Sequence, residues 1–182
     1  MASEYLEEFE KLNKTTNIYD LGDLEVLIIL KDGTNLTSWD DVRKKKDVMY
    51  VSEDLSNYTV LDNKYENFKS LKAIVASVNN KVTSMRGMFM DCHSLKDISS
   101  LSTWDVSNVT NFSWMFRGCS GLADLSALSD WDVSSVTAME FMFNGCRGLV
   151  DCSGLDSWDV SNVKNMKNMF LHCNSLKQKP NF

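Results

Sequence analysis

Aspartate and cysteine, two residue types that can do chemistry, recur at a fixed interval in this sequence. Six aspartates form two series, and four cysteines form a third, all with a spacing of 27 residues. Clustered carboxylates can bind calcium, which needs six or more oxygen ligands. Accessible, deprotonated thiols act as nucleophiles, redox groups or metal ligands. The three series are Asp97, Asp124 and Asp151; Asp105, Asp132 and Asp159; and Cys92, Cys119, Cys146 and Cys173.

The surroundings of the cysteines favour a structural role for them. Each cysteine follows a phenylalanine by three residues on an apolar face, as Cys119 follows Phe116, and a free cysteine behaves as a small buried hydrophobe. The chain has five cysteines and no CxxC pair, so we predict neither a disulfide framework nor a zinc site. His93 and His172 occupy different positions in the repeat, and their spacing indicates no catalytic triad. We therefore expect a non-enzymatic protein with no catalytic residue, metal or cofactor.

The two aspartate series differ in their predicted roles. In the first series, each aspartate lies between two apolar strand positions, and a serine follows two residues later. We predict that this stripe lies on a concave face and binds a partner, although simple solubility of an exposed sheet is the alternative. The second series precedes predicted helix starts, where free N–H groups would hold a carboxylate; a calcium site is its alternative. The stripe consists of Asp97, Ser99, Asp124, Ser126, Asp151 and Ser153.

Three tryptophans, Trp104, Trp131 and Trp158, share the same spacing. Tryptophan is enriched at binding hot spots, so the column could be an exposed stripe for a protein or a sugar. Their position three residues after an interior leucine favours a stacked ladder at the edge of the core. Both interpretations stay open, and we include the tryptophans among the predicted partner-binding residues.

These side chains belong to an internal repeat. The stretch "WDVSNV" at 104–109 returns as "WDVSSV" at 131–136 and again as "WDVSNV" at 158–163. Apolar residues recur within one copy at the spacing of a helical face, from Val109 to Cys119, and an LxxL pattern follows at Leu122. One copy cannot bury its apolar face alone, whereas stacked copies form a continuous core. We predict an α/β fold: a right-handed leucine-rich-repeat-like solenoid of four 27-residue strand–turn–helix coils.

By these residues the chain resembles the BspA-like leucine-rich-repeat group of bacterial surface proteins. The units "LSTWDVSNVTNFSWMFRGCSGL" and "LSDWDVSSVTAMEFMFNGCRGL" carry the resemblance, which covers about residues 68–182. It implies a solenoid fold and a binding role, because members of this group are mostly surface or secreted proteins that bind other molecules.

Residues 1–67 match no pattern of this kind, and we predict that they form an acidic N-terminal α+β cap. The cap would include a helix with Tyr5, Leu6, Phe9 and Leu12 on one face, and a buried strand at Leu24–Leu30. Its 15 acidic and eight basic residues give it a net charge of −7, and residues 68–182 carry +1, which together make the chain's net charge of −6. The chain therefore divides into this cap and a repeat region at 68–182.

Composition narrows the function further. An acidic cap next to a nearly neutral repeat region disfavours direct nucleic-acid binding, which needs a basic surface. No apolar run is long enough to span a bilayer. The acidic N-terminus does not resemble a signal peptide, so we expect a cytoplasmic protein, or a surface or secreted one if a signal was removed. The leading hypothesis is a protein-binding scaffold, with carbohydrate as a less favoured ligand. The alternatives are an acidic immunity-type inhibitor of a nucleic-acid-handling enzyme, of the kind that a phage or mobile element can encode, and a surface adhesin.

Overall fold

A small mixed sheet and a stack of repeats make up the structure. The computed structural model describes residues 26–39, 42, 45–180 and 182. Its four strands are β1 (Val26–Leu30), β2 (Asn35–Leu36), β3 (Val48–Asp54) and β4 (Ala73–Ser77), in the order β2-β1-β3-β4. Strand β1 is antiparallel to β2 and β3, and β3 is parallel to β4. The described residues contain no α-helix, and their 3-10 helices are Lys45–Asp47, Ser99–Thr103, Ser126–Leu128 and Ser153–Leu155.

The strand predicted at Leu24–Leu30 is confirmed over Val26–Leu30. Its run of β-branched and leucine residues is typical of a buried strand, and Ile28 is fully buried. The chain then turns at Gly33, which has a φ of 84°. The helix predicted around Tyr5 and Leu12 lies outside the described residues.

Beyond the sheet, the repeats stack through five segments made of consecutive turns. In the first four segments, alternate N–H groups donate to carbonyls of the following segment, while many of the intervening N–H groups donate three residues back. For example, Phe112 and Trp114 donate to Ala138 and Glu140 at 2.9 Å, and Met115 donates back to Phe112 at 3.1 Å. We call these turn segments; they are 59–70, 83–94, 110–121, 137–148 and 164–175. Isolated parallel bridges join them at Val60, Ser84, Asn111, Ala138 and Asn165.

The prediction of a strand–turn–helix solenoid is wrong. The segment from Val109 to Cys119 forms turns rather than a helix, and the strand predicted in every copy occurs only in the first, as β4. The spacing of the stack gives a physical reason. Phenylalanines of successive segments stack with ring centroids 5.5–5.6 Å apart, whereas packed helices need about 8–10 Å between their axes. Turns satisfy the same burial pattern and leave alternate N–H groups free to bond to the next segment.

The first repeat is shorter than the sequence period indicates. Tyr65 stacks on Phe89 at 5.6 Å, and Ala73 bridges to Asp97, so equivalent residues here are 24 positions apart. The later phenylalanines and bridges keep the spacing of 27. Alignment at a constant period therefore places the apolar residues before 74 three positions out of register, and it hides the turn segment that starts at residue 59.

One buried carboxylate links the sheet to the stack. Glu53 on β3 is 5% exposed and forms an ion pair with Lys64 at 2.8 Å. It also accepts hydrogen bonds from the hydroxyl of Tyr65 at 2.6 Å and from Nε1 of Trp39 at 3.2 Å. Burial, together with the charge of Glu53, raises the pKa of Tyr65 well above its ordinary value. Three donors thus compensate the buried charge. The pairing of β3 with β4 joins residues from both sides of the predicted boundary between residues 67 and 68. The division of the chain into a cap and a repeat region stays a prediction.

Candidate partner-binding surface

The aspartates lie in the parts of each repeat between the turn segments. These parts contain eight aspartates and a single lysine, Lys96. Asp124 and Asp151 are exposed and Asp97 is partly exposed. We call these parts the acidic segments; they are 95–109, 122–136 and 149–163. Because the repeats stack in register, equivalent carboxylates of the acidic segments recur from copy to copy in columns.

The first aspartate series makes local turns at the start of the 3-10 helices. Oδ1 of Asp97 accepts the N–H of Ser99 at 2.9 Å, and Asp151 accepts that of Ser153 at 2.8 Å. Asp124 accepts both the N–H and the hydroxyl of Ser126, at 3.1 and 2.7 Å. Each pair is an Asx turn, in which the aspartate side chain accepts a hydrogen bond from the backbone N–H two residues later. The residues are thus accessible, but they start turns and do not lie on a concave strand ladder.

The second aspartate series has the same local geometry. Asp105 accepts the hydroxyl of Ser107, and Asp132 accepts that of Ser134, both at 2.6 Å. Asp159 accepts the N–H of Ser161 at 3.0 Å. The prediction that this series caps helices is wrong, because the described residues that directly follow each of these aspartates form turns and no α-helix. Both series start turns, so their local bonds do not distinguish a structural column from a binding column.

Hydrogen bonds also set the acidity of several of these carboxyl groups. The serine hydroxyl and N–H donors lower the pKa of Asp132 and of Asp159. The N–H of Ser153 is the main cause that lowers the pKa of Asp151. These three aspartates are therefore charged at neutral pH, and the surface keeps its negative charge there.

The three tryptophans lie in the core rather than on this surface. Trp104, Trp131 and Trp158 are 4–5% exposed, and their rings stack with centroids 6.3–6.5 Å apart. Each indole N–H donates to a backbone carbonyl of the preceding copy, as Trp131 does to Leu101 at 2.8 Å. The structure thus places the tryptophans as the stacked ladder that their spacing favoured. Because so little of each ring is exposed, these tryptophans can make almost no contact with a bound protein or sugar.

The cysteine series forms a second internal ladder. Cys92, Cys119 and Cys146 are fully buried, and Cys173 in the last copy is partly buried. The thiol of Cys119 donates to the carbonyl of Phe89 at 3.1 Å, and the other three make the equivalent bond. Burial raises the pKa of the Cys119 and Cys146 thiols well above the ordinary value. These thiols are protonated at neutral pH and so are poor nucleophiles.

Within the described ranges, no group of three or more His, Cys, Asp or Glu side chains is arranged to hold a metal ion. In the same part of the chain, no helix is long and apolar enough to cross a bilayer.

A contrast in charge, which the sequence analysis missed, separates the two sides of each repeat. From residue 83 onward, the turn segments carry five arginines and lysines but only two acidic residues. The nearly neutral total over 68–182 hides this separation, and a charge count by position within the repeat would have found it. The residues are Arg86, Arg117, Arg147, Lys164 and Lys167 on the basic side, with Asp91 and Glu140 as the acidic exceptions.

The in-register ladders and the two charged sides define a repeat protein with a surface suited to binding. The family described as "Mycoplasma protein of unknown function, DUF285" matches residues 59–182. The chain belongs to this family, and the match begins at the start of the first turn segment. No curated protein and no solved structure matches the chain.

Proposed function

We propose that this protein is a non-enzymatic scaffold that binds a basic partner protein through its acidic segments. The observation that carries the proposal is the recurrence of eight aspartates against one lysine on these segments. Like charges in successive copies repel one another, and neither aspartate series packs the core. The Asx turns require an acceptor at these positions but not a charge, and the near absence of basic residues around them leaves the surface acidic. Complementary charge would speed association with a basic partner and limit the choice of partner.

The surroundings of the reactive residue types support a non-enzymatic role. The thiols of the cysteine ladder point their hydrogens at backbone carbonyls inside the core. The side chains of His93 and His172 make no hydrogen bond to a serine or cysteine among the residues that the structure describes. No hydrogen bond between a nucleophile and a histidine base is therefore formed among these residues.

The resemblance of the repeat units to the BspA-like leucine-rich-repeat surface group favours a second candidate, an adhesin-type role at the cell surface. The acidic inhibitor of a nucleic-acid-handling enzyme is a third candidate, since a carboxylate-rich surface can occupy a basic cleft. These candidates share the acidic binding surface and differ in compartment and partner. Localisation of the native product in its source cell separates them, because an adhesin is reached by protease added outside intact cells.

A pair of matched triple variants tests the proposed surface. The first variant changes Asp97, Asp124 and Asp151 to asparagine, and the second changes Asp105, Asp132 and Asp159 to asparagine. Both remove three charges and keep an oxygen that can accept the Asx-turn bond. Each protein is immobilised, exposed to an extract of the source cell, and analysed by mass spectrometry at low and high salt.

We expect at least one of the two variants to lose a basic protein that the wild type binds, because both aspartate series are at least partly exposed on the acidic segments. The wild-type complex should weaken as salt rises, because salt screens exposed charge pairs. Retention of that protein by both variants would contradict the proposal. Loss only from the second variant would move the binding surface to the Trp-Asp turns.

A further inference from the structure

Two aromatic residues on the turn segments adopt a backbone conformation that is costly for them. Trp114 and Phe141 occupy equivalent positions in successive copies, with φ values of 65° and 57°. The left-handed region is rarely adopted by bulky side chains, whereas glycine and asparagine adopt it with little strain. The equivalent residues in the other copies are Asn63, Gly87 and Asn168. Trp114 and Phe141 therefore carry a backbone cost that the other copies avoid.

Core packing does not account for this cost. The ladder residues Phe89, Phe116 and Phe143 are fully buried, whereas Trp114 and Phe141 are partly exposed. Their rings meet edge to face with centroids 6.2 Å apart. Nε1 of Trp114 is the one buried side-chain nitrogen or oxygen without a hydrogen-bond partner in the described part of the chain. Strained residues outside the core often mark a binding site.

An arginine with no carboxylate partner lies against this aromatic pair. The guanidinium carbon of Arg86 is 4.3 Å from the ring centre of Trp114, within the range of a cation–π contact. The side chain of Arg86 forms no ion pair with any of the residues that the structure describes. Arg86 thus lies on the indole with no carboxylate at ion-pair distance from its guanidinium, while Asp62 of the preceding copy accepts its backbone N–H at 2.9 Å. A planar guanidinium of this kind can bind a carboxylate through two parallel hydrogen bonds.

We propose that Arg86, Trp114 and Phe141 form a docking surface for an acidic segment of a partner protein. A carboxylate of the segment pairs with Arg86, and an apolar side chain next to it packs on the exposed parts of the two rings. The basic excess of the turn segments from residue 83 onward supports an acidic occupant. The same turn segments also hold a groove of about 290 Å³, whose charged lining residues are Arg117, Arg147 and Asp91. This surface is separate from the acidic segments and does not depend on their proposed function.

Selection of phage-displayed random peptides on the full chain tests the proposal. We expect the selected peptides to be enriched in aspartate or glutamate next to a large apolar residue. Arg86→Met keeps a side chain of similar length over Trp114 and should weaken their binding about ten-fold or more. The triple variant of Asp97, Asp124 and Asp151 to asparagine should bind them as the wild type does, which separates this test from that of the acidic segments.

The double variant Trp114→Asn with Phe141→Asn separates a binding role from a structural one. It installs the residue that two other copies carry at this position, so its urea midpoint should equal or exceed that of the wild type while peptide binding is lost. A lower midpoint would show that the rings stabilise the fold and would overturn the proposal. Peptides without acidic enrichment, unchanged binding to the variants, or binding of a heparin fragment in place of any peptide would also overturn it.

Discussion

The phenylalanine ladder offers a direct test of how the repeats hold together. Phe116 is fully buried, and its ring stacks between Phe89 at 5.5 Å and Phe143 at 5.6 Å. Phe170, in the last copy, is partly buried and stacks on Phe143 alone. Phe116→Ala and Phe170→Ala therefore remove the same atoms from the same column, with ring contacts on two sides in one case and on one side in the other.

The expected cost of Phe116→Ala follows from burial and from the cavity it leaves. Truncation of a buried phenylalanine lowers the free energy of unfolding by about 3–5 kcal/mol, because rigid neighbours on both sides of Phe116 cannot close the space. Phe170→Ala should cost roughly half as much or less, since part of its ring is already in contact with water.

Urea denaturation followed by circular dichroism measures both values. With a slope of about 1–3 kcal/mol per molar urea, the midpoint of Phe116→Ala should fall well below that of Phe170→Ala. The slopes should agree with the wild type, which would show that the unfolded states are comparable. Equal midpoints for the two variants would refute the reasoning, because the loss in the free energy of unfolding would then not depend on the position within the ladder.

Thiols, an indole and a carboxylate provide three further tests. A thiol reagent at neutral pH should label the partly buried Cys173 faster than Cys119, whose burial raises its pKa; equal rates would show that Cys119 is accessible. Trp131→Phe leaves the buried carbonyl of Leu101 without its donor and should lower the free energy of unfolding by about 1–3 kcal/mol, and an unchanged thermal melt would contradict this. Because the fold lowers the pKa of Asp132, this residue stabilises the fold above its unfolded-state pKa of about 3.9, and the contribution is lost as pH falls below that value. Asp132→Asn should therefore show a smaller loss of stability than the wild type when acidified, and equal losses would exclude this contribution.

The two charged sides of the repeat lead to opposite expectations about partners. The acidic segments suit a basic protein, and the turn segments suit an acidic one. Variants of the acidic segments should leave binding to the turn segments unchanged, and the reverse, since the two sets of charged residues lie on different segments of each repeat. A scaffold of this kind could hold two different partners at once.

The periodic apolar pattern determined the repeat and the identity of its buried residues. Columns of phenylalanine, cysteine and methionine at a spacing of 27 residues showed which side chains face the core, and the structure buries most of them. The same pattern supported the resemblance to the BspA-like group. The family match over residues 59–182 establishes that the chain belongs to the DUF285 family. Burial can be predicted in this way because identical side chains contact their counterparts in the adjacent copies, so each column is constrained as a unit.

The sequence did not determine how the backbone between those side chains is bonded. A helix and a series of turns can bury residues at nearly the same spacing, and only the close approach of the repeats selects turns. The 24-residue first repeat escaped detection for a related reason, since apolar residues stay apolar when the register shifts by three. The positive φ angles of Trp114 and Phe141 could not be anticipated from residue types that rarely adopt them. Hydrogen bonds between copies impose these conformations, and such bonds join residues far apart in the chain, so they become apparent only in the tertiary structure.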